Sequence, residues 1–288
     1  MKYAYMFITV TFFSMTQCID WQILIDTHKQ IMTEATYSLL AAQQAAYNNN
    51  RALKIVDPQV TRIPIIESHE ELVDVRHVND ARITLLPDPE KPFASPDCNS
   101  GFAAASKIRK KLFDGLRSMV RELDTFAEHF GYEQGQIQVK IFEGLRDVPT
   151  QTMLFDNKAG EIQAANPAMS TDEVFAETCK WVSPVRNNVP VHSTGAAVDI
   201  RLWDTKNNCF VDLGPFGVIW SKNTTAATFS QDISDTQKNN RLYLLIAATN
   251  AGLVNYSYEY WHYSCGDRYA SYWQESDATK RCAVYGAI

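Results

Sequence analysis

Positive charge is in short supply. Lys and Arg number 27 against 33 Asp and Glu, a formal net charge of −6 over 288 residues, so the basic footprint that neutralises phosphates in a nucleic-acid binder is missing. The richest basic stretch, KIRKKLFDGLR (Lys107–Arg117), carries Ile108, Leu112 and Leu116 at helical spacing and reads as the solvated face of an amphipathic helix. Cysteine is also sparse: six residues with no C-x-x-C pair give a cysteine zinc site no support. The H-E-x-x-H helix of many zinc peptidases is absent, because SHEELV at Ser68 starts like one but has Val73 in the place of the second histidine. Beyond the N-terminus no apolar run is long enough to span a membrane, and no repeat or low-complexity linker divides the chain. A composition of 45% hydrophobic and 21% charged residues fits a folded soluble protein with a sizeable core.

The first twenty residues differ from the rest. After Lys2 no charge occurs until Asp20, and an apolar run extends from Tyr3 to Met15, the form of a secretory signal peptide over residues 1–19. Export to the periplasm or the exterior is the corresponding expectation. SMTQC is a weak lipoprotein box, leaving lipid anchoring at Cys18 as the lesser alternative. In an exported chain some cysteines pair, and separation favours Cys265 with Cys282, although spacing alone does not set connectivity.

Periodicity predicts a long N-terminal helix over residues 21–50, with Ile23, Ile31, Ala35, Leu39 and Ala42 on one face, as a helical extension. Short strands and loops are expected through 51–100. A second helix spans 101–131, with Ile108, Leu112, Leu116, Met119 and Leu123 as its buried stripe and Gly131 as its stop. QIQVKIFEGLRD reads as a strand, with Ile137, Val139 and Ile141 alternating against Gln138, Lys140 and Phe142 and Arg146 near its end. Asn239 to Gly252 is a helix between two β-type stretches. Blocks of helix and strand, without βαβ alternation, predict an α+β fold with a small antiparallel sheet flanked by helices.

Of the six histidines, His28, His69, His77 and His129 have no second ligand-type residue at useful spacing and read as surface or satisfied core groups. His192 and His262 each have a carboxylate nearby, Asp199 and Glu259 respectively. Two imidazoles and one carboxylate make a three-ligand zinc site with an open position, and a further carboxylate that does not ligate serves as a base. In a regular strand Glu259 and His262 would point to opposite faces, so this reading requires a bulge or a strand end between them.

HSTGAAVD (His192–Asp199) followed by EYWH (Glu259–His262) resembles the paired signature of the D-alanyl-D-alanine dipeptidases, zinc peptidases that include the vancomycin-resistance dipeptidase. VDLG, NNRLYLL and NAGL fall between them in the same order, so the resemblance extends over roughly residues 136–273. It implies a zinc peptidase core over 135–288, with 20–134 as the helical extension and the start of the catalytic domain. It also implies His192, Asp199 and His262 as ligands of one Zn²⁺ per chain, Glu259 as catalytic base, and Arg146, in EGLRD, as the oxyanion-stabilising arginine.

The resemblance implies D-Ala-D-Ala dipeptide or a peptidoglycan-derived peptide as substrate. Three departures stand beside it: Leu145 and Asp147 flank Arg146 where the family has Tyr and Pro, Pro190 replaces a serine, and GPFGVIW (Gly214–Trp220) lacks the acid that holds the substrate ammonium. The last favours a murein D,D-carboxypeptidase acting on longer stem peptides as an alternative, and a non-catalytic zinc-containing binding module is the other. The leader yields a direct prediction: mass spectrometry of protein recovered outside the cytoplasm should place the mature N-terminus between Thr16 and Trp21, where the apolar run ends, and an intact Met1 would refute cleavage.

Overall fold

The computed structural model describes residues 19–86, 104–216 and 224–288; the leader, Cys18, Cys98 and the 217–220 part of GPFGVIW lie outside the described residues. The expected single N-terminal helix is two. Helix α1 (Trp21–Thr27) is capped by the Asp20 carboxylate, a tight turn follows, and α2 (Glu34–Asn48) starts afresh because the Thr33 hydroxyl accepts from the Thr36 N–H. A side-chain cap offers the backbone a better partner than helix continuation. The break also rotates the buried face. Trp21, Leu24, Ile25 and Leu40 are interior, whereas Ile23 is 63% exposed.

A four-residue helix, α3 (Pro58–Thr61), leads to strands β1 (Leu72–Asp74) and β2 (Ile83–Leu85). The helix expected over 101–131 is interrupted: 104–105 are helical, strand β3 (Lys107–Arg109) then pairs antiparallel with β1, and α4 (Lys110–Phe126) follows. KIRKK is therefore not a solvated helix face throughout: Ile108 and Arg109 are buried, since β3 is wedged between β1 and the loop after the next strand. The stripe Leu112, Leu116, Met119 and Leu123 is buried as its spacing requires, and Gly131 ends the segment in a left-handed conformation with φ +82°.

Strand β4 (Ile137–Glu143) is followed by helices α5 (Val148–Ala165) and α6 (Thr171–Thr178), strands β5 (Ala197–Asp204) and β6 (Cys209–Phe210), helix α7 (Asp235–Asn250), strands β7 (Val254–Tyr256) and β8 (Glu259–Ser264), and helix α8 (Arg268–Gln274). The fold is α+β, but the sheet is larger than the small antiparallel one expected, and it is mixed. Its six strands run β2-β4-β5-β8-β7 with β6 beside β5, and β2 lies parallel to β4. The extra edge comes from Ile83–Leu85, too short for period-2 alternation to be visible in sequence. Phe142, expected to alternate outward, is buried because the β4–β5 register shifts between Ile141 and Glu143.

Helices α4 and α7 pack together against one face of the sheet, where Val139, Ile141, Val198, Ile200 and Leu202 meet them. Helix α7 is buried nearly all round: its second half, Leu242–Ala248, is dominated by apolar side chains, and its first half buries Lys238, Asn240 and Arg241. Strand alternation then sends Asp199 to the opposite face, and its register partner His262 goes with it. The four described cysteines are free thiols, so Cys265 and Cys282 do not pair: Cys265 is turned into the core, where burial pushes its pKa up to about 12, and the Cys282 thiol donates to the Ala283 carbonyl. Among the described residues no helix is long and apolar enough to cross a membrane.

Candidate metal centre

Three elements converge on the sheet face away from the core. Asp199 stands near the start of β5, His262 on β8, and His192 on a single helical turn, Val191–Thr194, just before β5. The turn is closed by the Thr194 hydroxyl, which donates to the Val191 carbonyl and accepts from the Ala196 N–H. Gly195 ends it at φ +70°, and a side chain there would also meet Leu72 Cδ2 at 2.9 Å. The seven-residue interval between His192 and Asp199 is thus one tight turn, a glycine and the entry to a strand.

His192 Nδ1 donates to the Gly144 carbonyl at 2.9 Å, which sets the tautomer and leaves Nε2 with its lone pair. That Nε2 lies 3.1 Å from His262 Nδ1 and 3.4 Å from Asp199 Oδ1, and the latter two atoms are 3.0 Å apart. All three residues are buried. An ion bound tetrahedrally at about 2.0–2.2 Å separates its ligand atoms by about 3.3–3.6 Å, so the observed triangle, with sides of 3.0–3.4 Å, is slightly tighter than one face of such a polyhedron. The donor set fits a divalent metal of the zinc type with a fourth position left for a reactant. Burial disfavours the Asp199 carboxylate, but His192 and His262 outweigh it and hold the carboxyl well below its usual range. Burial likewise opposes a charged His192, and Asp199 overrides that and raises its pKa.

The bulge required of EYWH is present. Asn255 pairs with Tyr263 but Tyr256 pairs with Glu259, so the β8 side carries extra residues there. Asn255, itself buried, fills the irregularity: its Nδ2 donates to the Glu259 carbonyl at 3.1 Å and the His262 carbonyl at 3.0 Å. Its Oδ1 accepts from the Thr228 hydroxyl at 2.6 Å, which orients the amide. The result turns Glu259 and His262 to one side, with Glu259 Oε2 3.9 Å from His262 Nδ1. Burial, reinforced by Asp199, raises the Glu259 pKa above the ordinary carboxyl value.

Arg146 shares the cavity with Glu259 and the three metal-type ligands, and its N–H donates to the His192 carbonyl. The guanidinium is clamped: Nε and Nη2 bind the two Glu143 oxygens at 2.8 and 2.6 Å, and Nη1 donates to Gln151 Oε1 at 3.0 Å. Gln151 is held in turn by the Ser183 carbonyl. Of the five N–H groups of an arginine, two are left by these partners among the described residues. Asp147 does not pair with Arg146; it caps α5 by accepting from the Thr150 N–H.

The cavity measures about 640 Å³ with its open mouth included. Ile55, Leu154, Trp181 and Val182 give it an apolar side, and Pro190 lines it where the resemblance would place a serine. Its described lining contains no acid besides Asp199 and Glu259. The other histidines stand apart: His69 and His77 are exposed, and His28 stacks on Phe130 beside His129. Sequence reasoning missed Gly144, Gln151 and Asn255. Only Gly144 left a signal, as the glycine of EGLR.

A family model of the peptidase family M15, described as D-ala-D-ala dipeptidase, matches residues 134–279. A solved structure described as VanYB in complex with D-Alanine-D-Alanine is similar at 16% identity over 60% of this chain and 76% of that one, with a TM-score of 0.33. No curated protein matches. The Asn255 network yields a prediction. Asn255→Leu leaves the Glu259 and His262 carbonyls without their donor, and should lower unfolding stability by about 1–3 kcal/mol and weaken metal binding. Urea denaturation and metal titration check both effects, and a variant with unchanged metal affinity would dissociate the bulge from the site.

Proposed function

Because the chain belongs to the M15 family of peptidases, we propose that it is a zinc-dependent hydrolase of D-Ala-D-Ala type dipeptides, exported by its apolar leader. The observation that carries this reading is the ligand triangle with Glu259 and Arg146 in the same cavity. His192 Nε2, Asp199 Oδ1 and His262 Nδ1 would hold one Zn²⁺, which when bound acidifies water and polarises a carbonyl. Glu259, beside the triangle but outside it, takes the proton of the attacking water and returns it to the leaving amine. Arg146 offers its two remaining N–H groups to the oxyanion that develops on the peptide carbonyl. Glu143 and Gln151 keep that guanidinium from swinging away, so little reorganisation accompanies the charge as it forms.

A second reading, D,D-carboxypeptidase action on longer peptidoglycan stem peptides, draws support from the absence of a further acid in the described lining, since a free substrate ammonium then lacks a dedicated partner. A module that holds metal without catalysis is less well supported. It has no use for an unligated Glu259 or for an arginine fixed by two side chains.

Two experiments test these roles. Glu259→Gln and Arg146→Ala should both fold and keep one zinc per chain by elemental analysis, because neither is a proposed ligand. Their kcat should fall on the order of 10²–10⁴-fold for lost proton transfer and on the order of 10²–10³-fold for lost oxyanion stabilisation; wild-type turnover in both would remove the catalytic assignment. In the second, the wild-type enzyme is compared on D-Ala-D-Ala and its N-acetyl form. The carboxypeptidase reading expects the two to be cut at comparable kcat/KM, and a strict dipeptidase is nearly inactive on the blocked substrate.

A further inference from the structure

Residues 105–109 lie outside the region that the family model covers, yet they bind both loops of the metal site. On one side the Gly144 N–H donates to the Ala105 carbonyl at 2.8 Å and the Leu145 N–H to the Lys107 carbonyl at 2.9 Å. The approach leaves no room for a side chain: a Cβ on Gly144 would lie 2.6 Å from Ile108 Cγ2 and 2.8 Å from each of those carbonyl oxygens. Gly144 supplies the acceptor that orients the His192 ring. On the other side the Arg109 N–H donates to the Gly195 carbonyl at 2.8 Å and its Nε to the Thr194 carbonyl at 2.9 Å, the residues just after His192.

The Arg109 side chain is only 3% exposed. Its Nη1 donates to the Glu70 carbonyl at 2.6 Å, its Nη2 lies 3.3 Å from Glu67 Oε1, and its guanidinium lies over the Tyr285 ring at 4.9 Å. A buried cation is an expensive way to fill space, and an apolar side chain of that length would stabilise the fold at least as well. What only the planar fork supplies is simultaneous, directional bonding to the Thr194 and Glu70 carbonyls while its charge faces the Glu67 carboxylate. Partners that hold the turn carrying a ligating histidine, as Arg109 holds Thr194 and Gly195, help fix the ring and with it the affinity for metal.

We propose that Arg109 is a positioning residue for His192, so that the segment before residue 134 is part of the metal centre. The proposal rests on the metal reading of His192. In the full chain, zinc affinity is measured by competition with a chelator for wild type, Arg109→Met and Arg109→Lys, with thermal unfolding of the metal-free proteins alongside. Arg109→Lys keeps a charge for Glu67 but not the fork, and it should remain folded yet bind zinc on the order of 10–100-fold more weakly. Arg109→Met should weaken binding at least as much.

Wild-type zinc affinity in folded Arg109→Lys overturns the proposal, as does a loss of thermal stability in both variants without a change in affinity. Failure of both to fold also overturns it, by assigning Arg109 to the fold and not to the site. A wild-type protein that binds no zinc refutes the metal reading, a result distinguishable from all of these.

Discussion

Two imidazole nitrogens and one carboxylate oxygen, on buried side chains that line an open cavity, are held 3.0–3.4 Å apart. Left to themselves these groups would not stay so close. Each loses hydration on burial, and the two ring nitrogens crowd against one another and against the same carboxylate oxygen. The rest of the structure is organised to impose this contact. Asp199 and His262 are register partners on adjacent strands, so their separation is that of the sheet itself. His192 is brought to them from outside the sheet and needs more support: the Thr194 hydroxyl, the left-handed Gly195, and the Gly144 carbonyl behind its ring.

The large core behind the sheet makes that precision attainable. Helices α4 and α7 bury one face completely, which fixes the strand positions to within the tolerance of close packing. Polar groups then concentrate on the opposite face, where irregular backbone is satisfied by side chains rather than by ladder bonds. Asn255 absorbs a bulge, Glu143 and Gln151 immobilise a guanidinium, and Asp147 begins the helix that carries Gln151. Asn255 and Gln151 are each tied to at least two partners, as the cost of an unsatisfied buried amide demands.

The spacings legible in the sequence were local ones. The periodicity of α4, the alternation of β4 and the glycine stops at Gly131 and Gly252 follow from side-chain period and backbone conformation alone. The clustering of His192 with Asp199 and of Glu259 with His262 was visible as residue type at short interval, together with the need for a bulge. Long-range pairing was not legible. The parallel edge strand β2 and the wedge of β3 between two loops involve three residues each, too few to leave a pattern. The break between α1 and α2 was carried by a single threonine cap, and the Cys265–Cys282 pairing failed because separation along the chain says nothing of the direction in which a thiol points.

Sequence by itself determined which chemical groups are available, since a histidine, a carboxylate or an arginine brings its donor atoms wherever it is placed. Tertiary structure alone decided which of them meet. His192 and His262 are 70 positions apart, with a helix and several strands between them, and only the antiparallel pairing of β5 with β8 together with the turn that precedes β5 brings their ring nitrogens to 3.1 Å. It also decided the groups that orient the ligands, Gly144 through a carbonyl and Asn255 through an amide, because backbone carbonyls carry no sequence signature and a lone asparagine is indistinguishable from any other until its partners surround it.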